Sequence, residues 1–224
     1  MKISFIVPVK SKSSRVPGKN TRPFADTTLL DIKLKTLVEL NLTDEIIVSS
    51  DSDDILQKAG KYKNVVAHKR DDYYCRDETP YSEVCKHIIE QAHYDIIYWV
   101  HITTPLISAE TYRNAWAEFS QMDKEKFDSI IGMKKLQTHI WTKDSKPLNY
   151  TTEKHVYSQF LEPLYIINNS LFITPKDVAL KRQFNYGFKP KIFEVPEKES
   201  IDIDHEDEFE FAEFLYRKIN QKNG

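Results

Sequence analysis

Apolar residues in this chain fall into two alternating rhythms. Short continuous runs are separated by stretches in which apolar positions recur every three or four residues. Residues 3–9 (Ile3, Phe5, Ile6, Val7 and Val9 around Ser4 and Pro8) read as a strand buried on both faces. Leu29, Leu30, Ile32, Leu34, Leu37, Val38 and Leu40 then recur at helical spacing, with Asp26, Thr27 and Thr28 ahead of them to cap the helix. Residues 45–50 read as a second buried strand, and 53–62 as a short helix. A helix starts at 78–81, with Pro80 tolerated in its first turn, and runs to about 92. Residues 95–102 are the next strand, 109–121 the next helix and 129–133 a further strand. From 134 to 165 the period breaks down, in a run rich in polar and aromatic residues. Strands resume at 171–174 and 191–195, and 206–218 is a final amphipathic helix.

Repeated β–α units of this kind predict a Rossmann-like α/β fold, a mostly parallel sheet with helices on both faces. A chain of 224 residues fits one domain. The irregular segment at 134–165 is expected to be a β-rich flap or an arm used in dimer contact. An apolar fraction of 40% with a net charge of −2 describes a globular protein and argues against a nucleic-acid partner. No apolar stretch approaches the ~20 residues of a membrane span, and the strand-like start carries no leader pattern, so a cytoplasmic location is expected. Cys75 and Cys85 are too few and too oddly spaced for a disulfide framework or a zinc site.

Charge, nearly balanced over the whole chain, is concentrated at two places. Lys10, Lys12, Arg15, Lys19 and Arg22 fall in one hydroxyl-rich loop directly after the first strand. Ligands of open α/β sheets bind beyond the carboxyl ends of the strands, so this loop lies where an anionic ligand would sit. It matches neither the P-loop nor a dinucleotide-binding glycine motif. Near the other end, Asp202 and Asp204 lie two residues apart in an extended segment and can face one ligand together. Two such carboxylates suit a magnesium ion that takes its remaining ligands from phosphate and water. They could equally serve only to cap and charge the helix that follows.

Both segments resemble the sugar-activating cytidylyltransferases, the enzymes that make CMP-sialic acid, CMP-Kdo and related CMP-sugars. Pro8-Val9-Lys10 and Pro17-Gly18-Lys19-Asn20 match the N-terminal signature of that family, and Ser13 to Lys19 is similar to its Kdo-type form. Ser200-Ile201-Asp202-Ile203-Asp204 matches the late acidic motif. Segment 47–55 resembles the family's second strand and its Ser-Thr-Asp turn. Arg70, Asp77 and Ser82 resemble a stretch that meets base and ribose, although the proline is missing and the Asp-to-Ser spacing is one residue longer. His101 to Leu106 resembles Gln-x-Thr-Ser-Pro-Leu, with His101 in place of glutamine and Ile107 where arginine is common. Asn168 to Ile173 resembles the Asn-Gly-Ala-Ile-Tyr-Ile strand. Lys10 stands where the family carries arginine, and Ser11 and Lys12 stand where glycine is frequent.

The resemblance implies a nucleotide-diphospho-sugar transferase type of fold and transfer of CMP from CTP to an acidic sugar. It implies Lys10 and Lys19 as catalytic cations. A nucleotide site is implied at Lys10, Ser13, Arg15, Lys19, Asn20, Arg70 and Ser82, and an acceptor site at His101, Thr103 and Asn169. It further implies Mg2+ on Asp202 and Asp204 and a homodimer. The altered acceptor positions leave two alternatives: a Kdo-like, other acidic or phosphate-bearing acceptor, or a non-catalytic nucleotide-binding homologue. Tyr73, Tyr74, Tyr98 and Trp99 are expected to be packing residues.

Overall fold

A computed structural model of the chain describes residues 1–13, 15–43, 45–153 and 156–221. Ser14 of the basic loop and residues 154 and 155 of the irregular segment lie outside them. A seven-stranded sheet in the order β3-β2-β1-β4-β6-β5-β7 forms the centre. Its strands are β1 (Ile3–Val9), β2 (Ile46–Ser50), β3 (Val65–Lys69), β4 (Ile96–Val100), β5 (Ser129–Leu136), β6 (Leu164–Pro175) and β7 (Pro190–Glu194). Only β6 runs against its neighbours, β4 and β5; the other pairs are parallel. The six α-helices are α1 (Leu29–Leu40), α2 (Asp53–Ala59), α3 (Tyr81–Ile89), α4 (Ala109–Gln121), α5 (Lys176–Arg182) and α6 (Glu206–Asn220).

The alternation of side chains along each strand divides the core into two layers. Phe5, Val7, Val48, Tyr98 and Ile173 pack with apolar residues of α1, α2, α4 and α6. Ile6, Ile47, Ile97, Trp99 and Phe172 pack with α3 and α5. The chain therefore winds outward from β1 to β3 on one face, and α3 returns it on the other face to β4, beside β1. That reversal opens a crevice at the carboxyl ends of β1 and β4, where open α/β sheets take their ligands.

Most predicted elements are present, with helix α1 capped by Thr28, whose side chain accepts from the Asp31 N–H. Two elements escaped the periodicity. β3 is an edge strand whose five residues are all at least partly exposed, so no apolar run marks it. α5 is seven residues long with one buried side chain, too short for a helical period to register. The flap expected at 134–165 is less regular than a β-rich unit. β5 extends into it as far as Leu136 and β6 begins at Leu164. Between them, among the described residues, lie a tight turn closed by the Trp141–Pro147 bridge and a short 3-10 helix, Ser158–Phe160.

Candidate active site

A cleft of about 1040 Å3 occupies the crevice beyond β1 and β4. Its first wall is the basic loop. Gly18 adopts a left-handed conformation (φ 65°), and its carbonyl accepts from the Thr21 and Arg22 N–H groups, folding residues 16–22 back toward the sheet. This turn directs Lys19 inward, where it is buried, while Arg15 stays exposed. The Asn20 amide donates to the Lys10 carbonyl at 2.8 Å, and its Oδ1 is buried with no hydrogen-bond partner among the described residues. Ser11 is fastened by Asp51 at the end of β2, which accepts from its N–H at 2.7 Å and its hydroxyl at 2.5 Å. Burial works to raise the Asp51 carboxyl, but these hydrogen bonds outweigh it and hold the group below its ordinary range.

The two charged segments meet although 189 residues separate them. Arg15 donates to Asp204 Oδ1 at 2.7 Å. Lys19 Nζ lies 3.7 Å from the same oxygen and donates to the Ile203 carbonyl. Burial lowers the Lys19 pKa, opposed by the charges of Asp204 and Asp202. Arg22 continues the seam, donating to Glu206 at 3.2 Å and stacking 3.6 Å over the Phe209 ring.

Behind this seam lies the turn after β4. Thr103 donates to Asp202 Oδ1 at 2.5 Å, its carbonyl accepts from the Ile203 N–H at 2.9 Å, and Asn169 donates to Asp202 Oδ2 at 2.8 Å. Asn169 reaches Asp202 because β6 is irregular there. The register with β5 shifts between Ile131 and Met133, and Asn169 itself has φ 52°. Gly132 permits the close passage, since a Cβ there would stand 2.3 Å from Ser170 Oγ. Its neighbour Asn168 is buried and turned to Ser170 and Ser200 instead. Burial pushes the Asp202 carboxyl up, the hydrogen bonds of Thr103 and Asn169 pull it down, and nearby Asp204 raises it again. Among the described residues no cluster of three or more His, Cys, Asp or Glu side chains could hold a metal. Two half-buried carboxylates whose charges oppose each other nevertheless fit a hard divalent cation that draws its other ligands from phosphate and water.

His101 lines the cleft, and its Nε2 accepts from the Trp99 indole N–H at 3.0 Å. An indole N–H only donates, so the imidazole proton is on Nδ1. Burial, helped by the charges of Lys33 and Lys19, lowers the His101 pKa to about 4, and the ring is neutral at pH 7.

The remaining predicted residues sit further from this meeting point. Lys10 lines the cleft and pairs with Asp77 at 2.8 Å. Ser13 also lines it and accepts from the Val16 N–H at 3.3 Å. Arg70 reaches the cleft wall but is 3% exposed, and it donates to the carbonyls of Ser49 (2.6 Å) and Val9 (3.3 Å), tying the ends of β1 and β2. Ser82 does not join the lining. Tyr81 and Val84 of α3 do, and a helical step of about 100° turns Ser82 off that face. Tyr98 is a packing residue as expected; Trp99 packs in the core too but also lines the cleft, as does Tyr74, which stacks on His87 at 3.9 Å. Sequence reasoning missed Asp51 as a brace for the loop. Its signal was positional, because pairing Val9 with Ser50 carries Ser11 beside Asp51.

Comparison with known proteins bears on this geometry. Residues 4–223 match the family described as cytidylyltransferase. The chain is 25% identical over 231 residues to a pseudaminic acid cytidylyltransferase of Campylobacter jejuni, covering 100% of this chain and 99% of that one. It is 26% identical over 239 residues to a CMP-N,N'-diacetyllegionaminic acid synthase of Legionella pneumophila, covering 99% of each. Two solved structures share its fold. One is a CMP:2-keto-3-deoxy-manno-octonic acid synthetase complexed with CTP (TM-score 0.67, 12% identity, 97% of this chain and 99% of that one). The other is a 4-diphosphocytidyl-2C-methyl-D-erythritol synthase from Anaerococcus prevotii (TM-score 0.68, 16% identity, 96% of each).

Proposed function

The chain belongs to the cytidylyltransferase family, and from that premise we propose that it transfers CMP from CTP to an acidic sugar of the sialic acid or related nonulosonate class, releasing pyrophosphate. The observation that carries this reading is the meeting of Arg15 and Lys19, which line the cleft, with Asp204, while Asp202 bonds to Thr103 of the same lining. A triphosphate and a divalent ion need cations and carboxylates within one ligand's length of each other, and a mere helix cap would need no buried lysine beside it.

Lys10, Arg15 and Lys19 neutralise the triphosphate, and Asn20 Oδ1, without a partner among the described residues, accepts from an amino or hydroxyl donor of the nucleoside. Asp202 and Asp204 would hold Mg2+, which when bound supplies positive charge to polarise the α-phosphate. Thr103 and Asn169 orient Asp202 for that task. The acceptor lies against His101 and Asn169, where the neutral imidazole offers one N–H. An acceptor hydroxyl oxygen attacks the α-phosphorus in line, its proton passing to solvent and the new O–P bond forming as the bond to the departing pyrophosphate breaks. The protein contributes positioning and charge neutralisation rather than covalent chemistry.

Two copies pair through the segment 134–165 and the adjoining half of β6. Trp141, Leu148, Tyr157, Phe160, Ile166 and Ile167 are 40–70% exposed there, an apolar load that a monomer would leave in water. Pyrophosphate release with CTP, Mg2+ and a panel of sugar acids tests the assignment. Release with a sialic-type acid is expected. CTP binding without turnover of any acid would instead make the chain a non-catalytic nucleotide binder.

A further inference from the structure

Lys33 of α1 is 1% exposed, among the most buried charged side chains of the described residues. Its ammonium donates to the Thr104 carbonyl at 2.9 Å and to the Tyr112 hydroxyl, and lies 3.5 Å from Thr104 Oγ1. It makes no ion pair among the described residues. Burial lowers its pKa to about 7, against the charges of Asp202 and Glu199, which raise it. A buried ammonium without a carboxylate in contact is costly, and a methionine of similar length would fill the same space without that cost.

What the ammonium touches is the turn after β4. Thr104 is fully buried and its hydroxyl donates to the His101 carbonyl at 3.1 Å. Thr103, the next residue back, donates to Asp202 and accepts from the Ile203 N–H. His101 and Thr103 thus belong to a turn that Lys33 holds from the core side, while their side chains face the cleft and Asp202. We propose that Lys33 is a positioning residue for the transfer reaction: from inside the core it fixes the turn 101–104, and through it the placement of His101 and Asp202 against the acceptor. This rests on the reading that the His101 wall receives the acceptor. The turn meets the basic loop through Ile203, whose N–H bonds to Thr103 and whose carbonyl accepts from Lys19, so the larger loss is expected on the acceptor side and the smaller on CTP.

Lys33→Met removes charge and donor, whereas Lys33→Gln removes the charge and keeps a donor for Thr104. Two readouts decide. The first is kinetic: kcat/KM for the sugar acid falls roughly 10–100-fold in Lys33→Met, as for residues that orient the groups holding a metal. CTP affinity, measured by calorimetry without acceptor or divalent ion so that Asp202 takes no part, stays within about two-fold, since binding energy lost on the acceptor side leaves it unchanged. Lys33→Gln recovers part of the acceptor loss. The second needs no activity. Trp99 is one of three tryptophans, and its indole N–H bonds to His101, so its nitrogen-15 NMR signal reports the turn. It shifts in Lys33→Met and less in Lys33→Gln.

An unmoved Trp99 signal in both variants, or equal losses for CTP and acceptor, overturns the proposal. So does a shifted signal with wild-type acceptor kinetics. If Lys33→Met fails to fold, the same comparisons are made on Lys33→Gln against wild type. If the wild type turns over no acid, the substrate reading fails, and the Trp99 signal still decides whether Lys33 sets the turn.

Discussion

The two walls of the cleft are built on different physical terms. The basic loop holds its charges in pairs open to water: the side chains of Lys10 and Asp77 are 35% and 79% exposed, those of Arg15 and Asp204 57% and 35%. Exposed pairs of this kind contribute about 0–1 kcal/mol each, so an incoming phosphate exchanges with them at little cost. The opposite wall is set by internal hydrogen bonds, from Thr103 and Asn169 to Asp202, from Trp99 to His101 and from Lys33 to Thr104. A buried polar group left without its partner costs more than the bond itself contributes. On the proposed reading, the wall assigned to the nucleotide is therefore exchangeable and the wall assigned to the acceptor preorganised. Substitutions should weaken CTP binding gradually on the first wall and disable turnover abruptly on the second.

The sharpest break is expected at Asp202. Asp202→Asn or Asp204→Asn should lower the rate of pyrophosphate release by on the order of 100- to 1000-fold at ordinary magnesium, the scale of losing one preorganised electrostatic contact. Full activity in both would refute their role. Lys19 joins the walls, and Lys19→Met should cost kcat/KM on the order of 100-fold. It should also lower the melting temperature, because the buried Ile203 carbonyl loses its donor; an unchanged melting curve would detach Lys19 from the seam.

Acid should expose the second wall. The His101 and His68 pKa values lie at about 4 in the folded chain, both lowered chiefly by burial, below the ordinary value of about 6.5. Between those limits the unfolded chain binds more protons. The stability contributed by the neutral rings is complete above about pH 6.5 and is lost as pH falls toward 4, by at most about 1.4 kcal/mol per pH unit for buried His101 and by less for half-exposed His68, where solvent screens the charge. His101→Gln keeps an acceptor for the Trp99 indole and should flatten this slope in urea melts at successive pH values. An identical slope would show that His101 titrates normally. The smallest effect belongs to the first wall: Asp77→Asn frees Lys10 and should lower the KM for CTP by about two-fold. A rise would mean that Asp77 itself contacts the nucleotide.

Legibility in the sequence follows the same division. Both charged segments were visible because their chemistry is written in contiguous residues, Lys10 to Asn20 and Asp202 to Asp204. Strands β1, β2 and β4 were visible because burial on both faces demands unbroken apolar runs. β3 was hidden because an edge strand need not be apolar, and spacing alone did not say which side of α3 faces the cleft, where Tyr81 and Val84 rather than Ser82 join the lining. Lys33 left no trace in the pattern: it occupies an apolar stripe, and only the packing of α1 against the β4 turn reveals what its ammonium holds.

A crystal structure with CTP and Mn2+ as an anomalous scatterer tests the central claim most directly. The account predicts the triphosphate against Lys10 and Lys19, and an anomalous peak within about 2.0–2.6 Å of carboxylate oxygens from Asp202 and Asp204, the range of hard-cation bonds to oxygen. CTP bound outside the β1–β4 crevice, or a metal peak remote from both aspartates, would contradict it.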